Sequence, residues 1–454
     1  MRHRTVTTAL AASLLLAGCS SAPEAPSTAE PTATTAAPSE AVSLAPGVAV
    51  PETRAGQATD WVLEQLAATD GPSPQEAEER FAESFLAQVP AAQAEAVFAQ
   101  LRAVGPYVVE GYEGAEDAAQ VPLTGADDRF LLHVATDVEG RMTTLFFEAA
   151  RPVPDVTSLA DLDDAFADLG VDSSFLVADG ATCEPVRARE ADVARPIGSI
   201  VKLYVLDAVR ASVAEGTLAW DDTLTLTDDL RSLPSGILQE EPAGHEVTVR
   251  EAAQLMISIS DNTATDLLVD AVGRDAVLAA VERLGHHDPA LLAPLVTTRE
   301  LFQLAFTDRG LRERWVDADM AERERILTEL PGGAVDVDPA LVQEAAWPQG
   351  LDWFATAEDV CRAHVALQDA ETEDVGDILA LNPGIEVPDG WDYVGFKGGS
   401  APGELAGSWY ATSADGDTYV VVTQFAASDP AAVPDGGWMA GVVSQTLEVL
   451  NEEE

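Results

Sequence analysis

Lysine is nearly missing from this chain. Of its 25 basic side chains, 23 are Arg, and only Lys202 and Lys397 are Lys. Positive charge of any kind is scarce beside 78 Asp and Glu, and the formal net charge is −53. A field of that sign repels nucleic acid and anionic lipid surfaces, so neither is an expected partner. Long apolar runs are absent too: no stretch reaches the roughly eighteen residues a membrane-spanning helix needs. A multi-pass membrane role is therefore not expected. The sequence also has no His-Glu-x-x-His, no Cys/His cluster with zinc spacing, no phosphate loop and no Gly-x-Ser-x-Gly elbow. The adjacent His286-His287 read as an exposed loop pair, and no metal or cofactor is expected.

What remains is a globular composition, 47% hydrophobic and 23% charged, in 454 residues. That length predicts two or three domains. The start, Met1-Arg2-His3-Arg4 followed by an apolar run to Leu16, has the form of a secretory signal over residues 1–18. Leu16-Ala17-Gly18-Cys19 resembles a bacterial lipobox, which implies cleavage before Cys19 and lipidation of its thiol. Lipid anchoring on the extracytoplasmic face of the cell membrane is therefore expected. Residues 19–54 start from that Cys, and as far as about Ala49 they are rich in Ser, Ala, Pro and Thr. They read as a flexible tether, because they bury too little apolar area to offset chain entropy. Cys183 and Cys361 are the remaining thiols; the sequence leaves open whether they pair or stay as two buried free thiols.

Residues 55–150 read as a small α+β domain. Ser73-Pro74 starts a helix that should carry Phe81 and Phe85 one turn apart, helical patterns run to about Val104, and strand-like runs follow at 107–109, 130–134 and 144–147. Arg151-Pro152-Val153-Pro154 marks a boundary. Residues 158–454 form the larger domain: a strand near 174–178, a long helical middle, strands at 393–397, 407–412 and 418–425, and a last helix from about Gly437 to Leu450. Asp415-Gly416 is a hairpin signal between the last two strands. Strand, helices, strands, helix predicts an antiparallel sheet assembled from both chain ends around a helical insertion, and the overall class is α+β.

The chemistry resides in three short elements. Ser199-Ile200-Val201-Lys202 opens an apolar helical stretch, and residues three apart share a helix face, so the Lys202 ammonium is expected to reach the Ser199 hydroxyl. A serine becomes a nucleophile when a base takes its proton; lysine can do so once its pKa falls, and arginine cannot. Ser260-Asp261-Asn262 lies between two helices, the first opened by the capping pattern Thr248-Val249-Arg250-Glu251. Lys397-Gly398-Gly399-Ser400 ends a strand, where two glycines let a substrate backbone lie close. Both lysines of the chain fall on these elements.

In this order the three elements resemble those of the penicillin-recognising serine enzymes, the class A β-lactamases and related D,D-peptidases. The resemblance implies a five-stranded antiparallel sheet beside a helical subdomain. It implies that Ser199 is acylated, Lys202 is its base and Ser260 relays a proton to the leaving group. Asn262, Lys397, Gly399 and Ser400 would bind the substrate, and the N–H groups of Ser199 and Ser400 would form the oxyanion hole. Class A enzymes also carry a Glu on a long loop after the second element. Here the stretch from Gly285 to Val296 is short, with Asp288 its only carboxylate, and Glu300 reads as part of the next helix. Gly398 stands where Thr is usual, and Gly407-Ser408-Trp409 lacks the usual Arg. This combination resembles a narrower group: actinobacterial β-lactamase-like lipoproteins and the cephalosporin esterases of clavulanic acid clusters. These join an isomerase-like, cystatin/NTF2-like N-terminal domain to a class A-like domain.

The expected function is a monomeric, lipid-anchored serine hydrolase forming a Ser199 acyl-enzyme with a β-lactam or related ester or amide. With the loop Glu missing, it should be a poor or atypical β-lactamase. A D,D-peptidase taking D-Ala-D-Ala-like substrates, and a ligand-binding lipoprotein with a vestigial serine site, are the alternatives.

Overall fold

Thr53 and Ser73 open the first helices with side-chain caps. Thr53 Oγ1 accepts the Gly56 N–H (3.0 Å) at the start of α1 (Arg54–Ala67), and Ser73 and Glu76 form a reciprocal capping box at α2 (Pro74–Arg80). Two further helices, α3 (Glu83–Leu86) and α4 (Ala94–Arg102), follow. The computed structural model describes residues 41–452, apart from 46–47, 87–88, 127, 339 and 369–372. The expected signal peptide, Cys19 and the tether as far as residue 40 lie outside the described residues.

The first sheet has strands β1 (Val42–Leu44), β2 (Tyr107–Val109), β3 (Glu113–Gly114), β4 (Ala118–Thr124), β5 (Arg129–Thr136) and β6 (Met142–Ala150). They run in the order β1-β2-β4-β5-β6, with β3 beside β4. One face packs on α1 and α4, where Trp61 meets Phe81 and Phe98 edge-to-face, both at 5.7 Å. Two expectations change here. The tether does not extend to residue 54, because Val42–Leu44 pairs in parallel with Tyr107–Val109. Phe81 and Phe85 do not share one helix; the chain breaks at Phe81, which bridges to Met142, and their rings stack at 4.5 Å.

The second sheet begins after α5 (Asp161–Asp168) with β7 (Asp172–Asp179) and β8 (Pro185–Arg189). Two small ladders follow: β9 (Arg195–Pro196) pairs with β12 (Phe354–Ala355), and β10 (Thr223–Thr225) with β11 (Glu246–Thr248). The late strands β13 (Trp391–Ala401), β14 (Glu404–Ser413) and β15 (Thr418–Ala426) complete an antiparallel sheet in the order β13-β14-β15-β7-β8. This is the sheet built from both chain ends that the sequence predicts. Successive residues of a strand face opposite ways. Leu176, Ala178, Val420 and Val422 point to the helical middle, while Phe175, Val177, Val421 and Phe425 point to α5 and the final helix α15 (Gly436–Glu452).

The helical middle comprises α6 (Lys202–Ala214), α7 (Val249–Ser258), α8 (Asn262–Val272), α9 (Arg274–Arg283), α10 (Thr298–Phe306), α11 (Arg309–Val316), α12 (Met320–Glu329), α13 (Ala357–Gln368) and α14 (Glu373–Ala380). The predicted capping box of Thr248 and Glu251 starts α7. Cys183, in the β7–β8 turn, is disulfide-bonded to Cys361 of α13, with Cα atoms 6.1 Å apart, so of the two open readings the structure takes the bridge. His286 is buried, unlike the exposed pair expected. Its Nε2 lies 2.9 Å from the Phe354 carbonyl and its Nδ1 accepts the Asp288 N–H at 3.1 Å. Both ring nitrogens are thus used in pinning the loop, and only His287 is exposed.

Candidate active site

Ser199 sits in a single 3-10 turn, Gly198–Val201, that leads into α6. The turn is fixed from behind: the Ile197 N–H donates to the Trp353 carbonyl (2.9 Å) and the Gly198 N–H to Asp352 Oδ1 (3.0 Å). Gly198 has φ +46, in the left-handed region. Strand β13 passes close by. A Cβ on Gly399 would stand 2.7 Å from the Ser199 nitrogen, and one on Gly198 would stand 3.0 Å from the Ser400 nitrogen. The glycines allow this approach and put the Ser199 and Ser400 amides side by side.

Ser260 lies between α7 and α8 with φ +58, a conformation that costs a non-glycine residue of order 1 kcal/mol or more. That turn places its Oγ between the two lysines: it accepts from Lys202 Nζ at 3.0 Å and from Lys397 Nζ at 3.0 Å. Lys202 Nζ also donates to the Ser260 carbonyl (2.6 Å) and to Asn262 Oδ1 (2.7 Å), and Lys397 Nζ to the Gly398 carbonyl (2.7 Å). Asn262 Nδ2 in turn donates to the Leu233 carbonyl at 3.1 Å. Asp261, fully buried, accepts the N–H groups of Ile237, Leu238 and Ala264, and so ties the facing loop to the start of α8.

The structure therefore brings Ser199, Lys202, Ser260, Asn262, Lys397, Gly399 and Ser400 together. It departs from one expectation: Ser199 is not among the hydrogen-bond partners of Lys202. A buried amino group must have its polar hydrogens accepted, and the Ser260 carbonyl and the Asn262 amide oxygen are stronger acceptors than a second hydroxyl. Lys202 and Lys397 are both buried. Burial, reinforced by the charge of Lys397, holds Lys202 well below the ordinary lysine range, and burial alone brings Lys397 down to about 7.

Neither carboxylate expected near the missing Glu is free. Asp288 caps a 3-10 turn through the Ala290 N–H (3.2 Å), and Glu300 caps α10 and pairs with Arg274 (2.7 Å). The sequence reading missed three buried groups. Asp266 accepts from Thr298 and Arg299 and anchors α10; burial lifts its carboxyl to about 6 despite those bonds. His364 lies behind Lys397, with Nε2 2.9 Å from Ser408 Oγ, which donates to the Lys397 carbonyl at 2.8 Å. That hydroxyl has only one proton, so His364 donates through Nε2, and burial lowers its pKa to about 4. Asp352, on the Gly198 amide, is the third. A lone acid among 78 carries no sequence signal that could have singled it out.

Solved structures similar to this chain include the β-lactamase from Sphaerobacter thermophilus DSM 20745, at 22% identity over 65% of this chain and 97% of that one, with a TM-score of 0.47. The ancestral (GNCA) class A β-lactamase has 20% identity over 65% and 100%, with a TM-score of 0.46. PBP-A has 15% identity over 67% and 99%, with a TM-score of 0.45. No curated protein matches. Residues 50–142 match the model described as the ORF 12 gene product N-terminal, and residues 159–328, which hold Ser199, Lys202, Ser260 and Asn262, match that of the beta-lactamase enzyme family.

Proposed function

We propose that this chain is a serine hydrolase that forms an acyl-enzyme on Ser199 with β-lactams or related esters and amides. The carrying observation is Ser260 Oγ held between two buried lysine amines, 3.0 Å from each, next to the paired Ser199 and Ser400 amides. Ser199 Oγ attacks the acyl carbon as its proton passes to neutral Lys202 Nζ, which must turn from Asn262 toward Ser199 on substrate binding. Catalytic hydrogen bonds of this kind often close only in the substrate complex. The oxygen of the tetrahedral species is held by the Ser199 and Ser400 N–H groups. The proton then moves through Ser260 Oγ to the leaving nitrogen or oxygen, and that bond to the acyl carbon breaks. The charge on Lys397, with Ser400 and Asn262, receives the carboxylate and amide of the substrate.

Deacylation lacks a free carboxylate in the region from Asp288 to Glu300, so the reading is a slowly emptying acyl-enzyme rather than an efficient β-lactamase. A lipidated Cys19 holds the chain on the extracytoplasmic face of the membrane in this reading. Intact-mass measurement after incubation with penicillins, cephalosporins and D-Ala-D-Ala peptides tests it. One acyl adduct, lost in Ser199→Ala and in Lys202→Arg, is the expected result. No adduct with any of the panel overturns the proposal in favour of a binding protein. Adducts with the peptides alone shift it to a D,D-peptidase.

A further inference from the structure

Beneath the nucleophile turn lie two carboxyl side chains for which the chemistry above has no use. Asp352 precedes β12 and Glu404 opens β14, and both residues are at least nine-tenths buried. Asp352 Oδ1 accepts the Gly198 N–H (3.0 Å) and the Trp353 N–H (2.7 Å), and the Glu404 carboxyl stands close enough to shift its protonation. Glu404 Oε1 has no hydrogen-bond partner, and it lies 3.0 Å from where a Cβ on Gly198 would stand. Two carboxylates cannot both be charged at contact in a dry interior without a cation. Among the described residues no ion pair reaches either one. Arg323 of α12 lines the same small cavity as Asp352, and its guanidinium lies 5.1 Å over the Trp315 ring. Lys202 and Lys397 are committed to Ser260. From the nucleophile turn the Gly198 N–H reaches the pair, through Asp352.

We propose that Asp352 and Glu404 are positioning residues: a hydrogen-bonded acid pair that clamps the Gly198–Ser199 turn to the β13–β14 hairpin and so sets the spacing of the two oxyanion donors. The inference rests on the serine-acylation reading above. Asp352 accepts two backbone N–H groups and is the ionised partner; Glu404 carries the shared proton and donates it. Burial, followed by the Asp352 charge and the shared hydrogen bond, raises the Glu404 carboxyl well above its ordinary range. The clamp is intact below the pH at which Glu404 ionises and is lost above it. Glu404 follows Ser400 by a four-residue hairpin step, so a loosened pair moves the Ser400 amide relative to Ser199.

The test compares Glu404→Gln, which keeps a donor to Asp352 but cannot ionise, with Glu404→Leu, which removes the bond. Rates of Ser199 acylation by a chromogenic β-lactam are measured across pH at saturation. They are accompanied by hydrogen exchange of the peptide containing Gly198 and by infrared spectra of the protonated carboxyl band. Glu404→Gln should acylate within about threefold of the parent, without its alkaline decline and without the infrared band. Glu404→Leu should acylate about tenfold or more slowly at unchanged non-covalent affinity, with faster exchange at Gly198. Equal loss in both variants, parental rates in Glu404→Leu, or no carboxyl band in the parent would overturn the proposal. If Glu404→Leu does not fold, the Gln variant's pH profile and the band decide. If the parent is never acylated, the acylation reading has failed, and the exchange and infrared data still decide whether the clamp exists.

Discussion

Replacing Lys397 with Met should move the pH dependence of acylation by about two units. Both lysine nitrogens are hydrogen-bonded to one Ser260 Oγ, each at 3.0 Å, so they stand no more than about 6 Å apart. Two unit charges at that distance repel by about 3 kcal/mol at an effective dielectric constant of 20, which is about two pH units. Lys202 is held down first by burial and then by the charge on Lys397. Removing that charge leaves the burial penalty and releases the repulsion, so the Lys202 pKa rises. Acylation needs Lys202 neutral, and its acidic limb therefore moves to higher pH by that amount. Lys397→Arg keeps the charge and leaves the limb in place, although affinity for the substrate carboxylate falls because the guanidinium does not fit the ammonium's position. The assay is the single-turnover acylation rate at saturating β-lactam from pH 5 to 10, with saturation separating the effect from weaker binding. The lysines titrate as a coupled pair, so the comparison is between apparent midpoints. A Lys397→Met limb that stays in place or moves to lower pH would refute the charge-repulsion reasoning.

Breaking the Cys183–Cys361 bridge with two serines should lower stability by up to about 5 kcal/mol, from the entropy of a loop spanning 178 residues, and denaturation with and without reductant measures it. Gly399→Ala places a Cβ 2.1 Å from the Ile197 carbonyl oxygen; acylation should fall about 100-fold, read against thermal melting to show that the fold survives. The Ser199 adduct should persist, because a positioned general base contributes about 10² to 10⁴ in rate; rapid penicillin hydrolysis without a detectable adduct would contradict this. Cys19→Ser should release the protein from the membrane fraction, and retention of the variant there would refute lipid anchoring.

Motif residues and periodic segments could be read from the chain because their causes are local. Near-continuous apolar runs at 174–178 and 418–425 mark strands buried on both faces. The Thr248–Glu251 box starts a helix within four residues, and the rarity of lysine drew attention to Lys202 and Lys397. Their gathering at one point was what the family resemblance of the three elements implied. Contacts between segments far apart in the chain left no such trace. Val42–Leu44 becomes a strand only because Tyr107–Val109 offers it an open edge. His286 is buried, though its neighbour is exposed, because the Phe354 carbonyl, 68 residues on, needs a donor. Cys183 meets Cys361 across 178 residues because β7 and α13 pack together. The same holds within the site. Sequence placed Lys202 one turn from Ser199, but its desolvated amino group took the carbonyl of Ser260 and the amide of Asn262, 58 and 60 residues away. Asp352 and Glu404 look like any two of 78 acids until folding removes their water and leaves each with the other. Burial changes what a side chain must bond to, and only the tertiary structure decides what is buried.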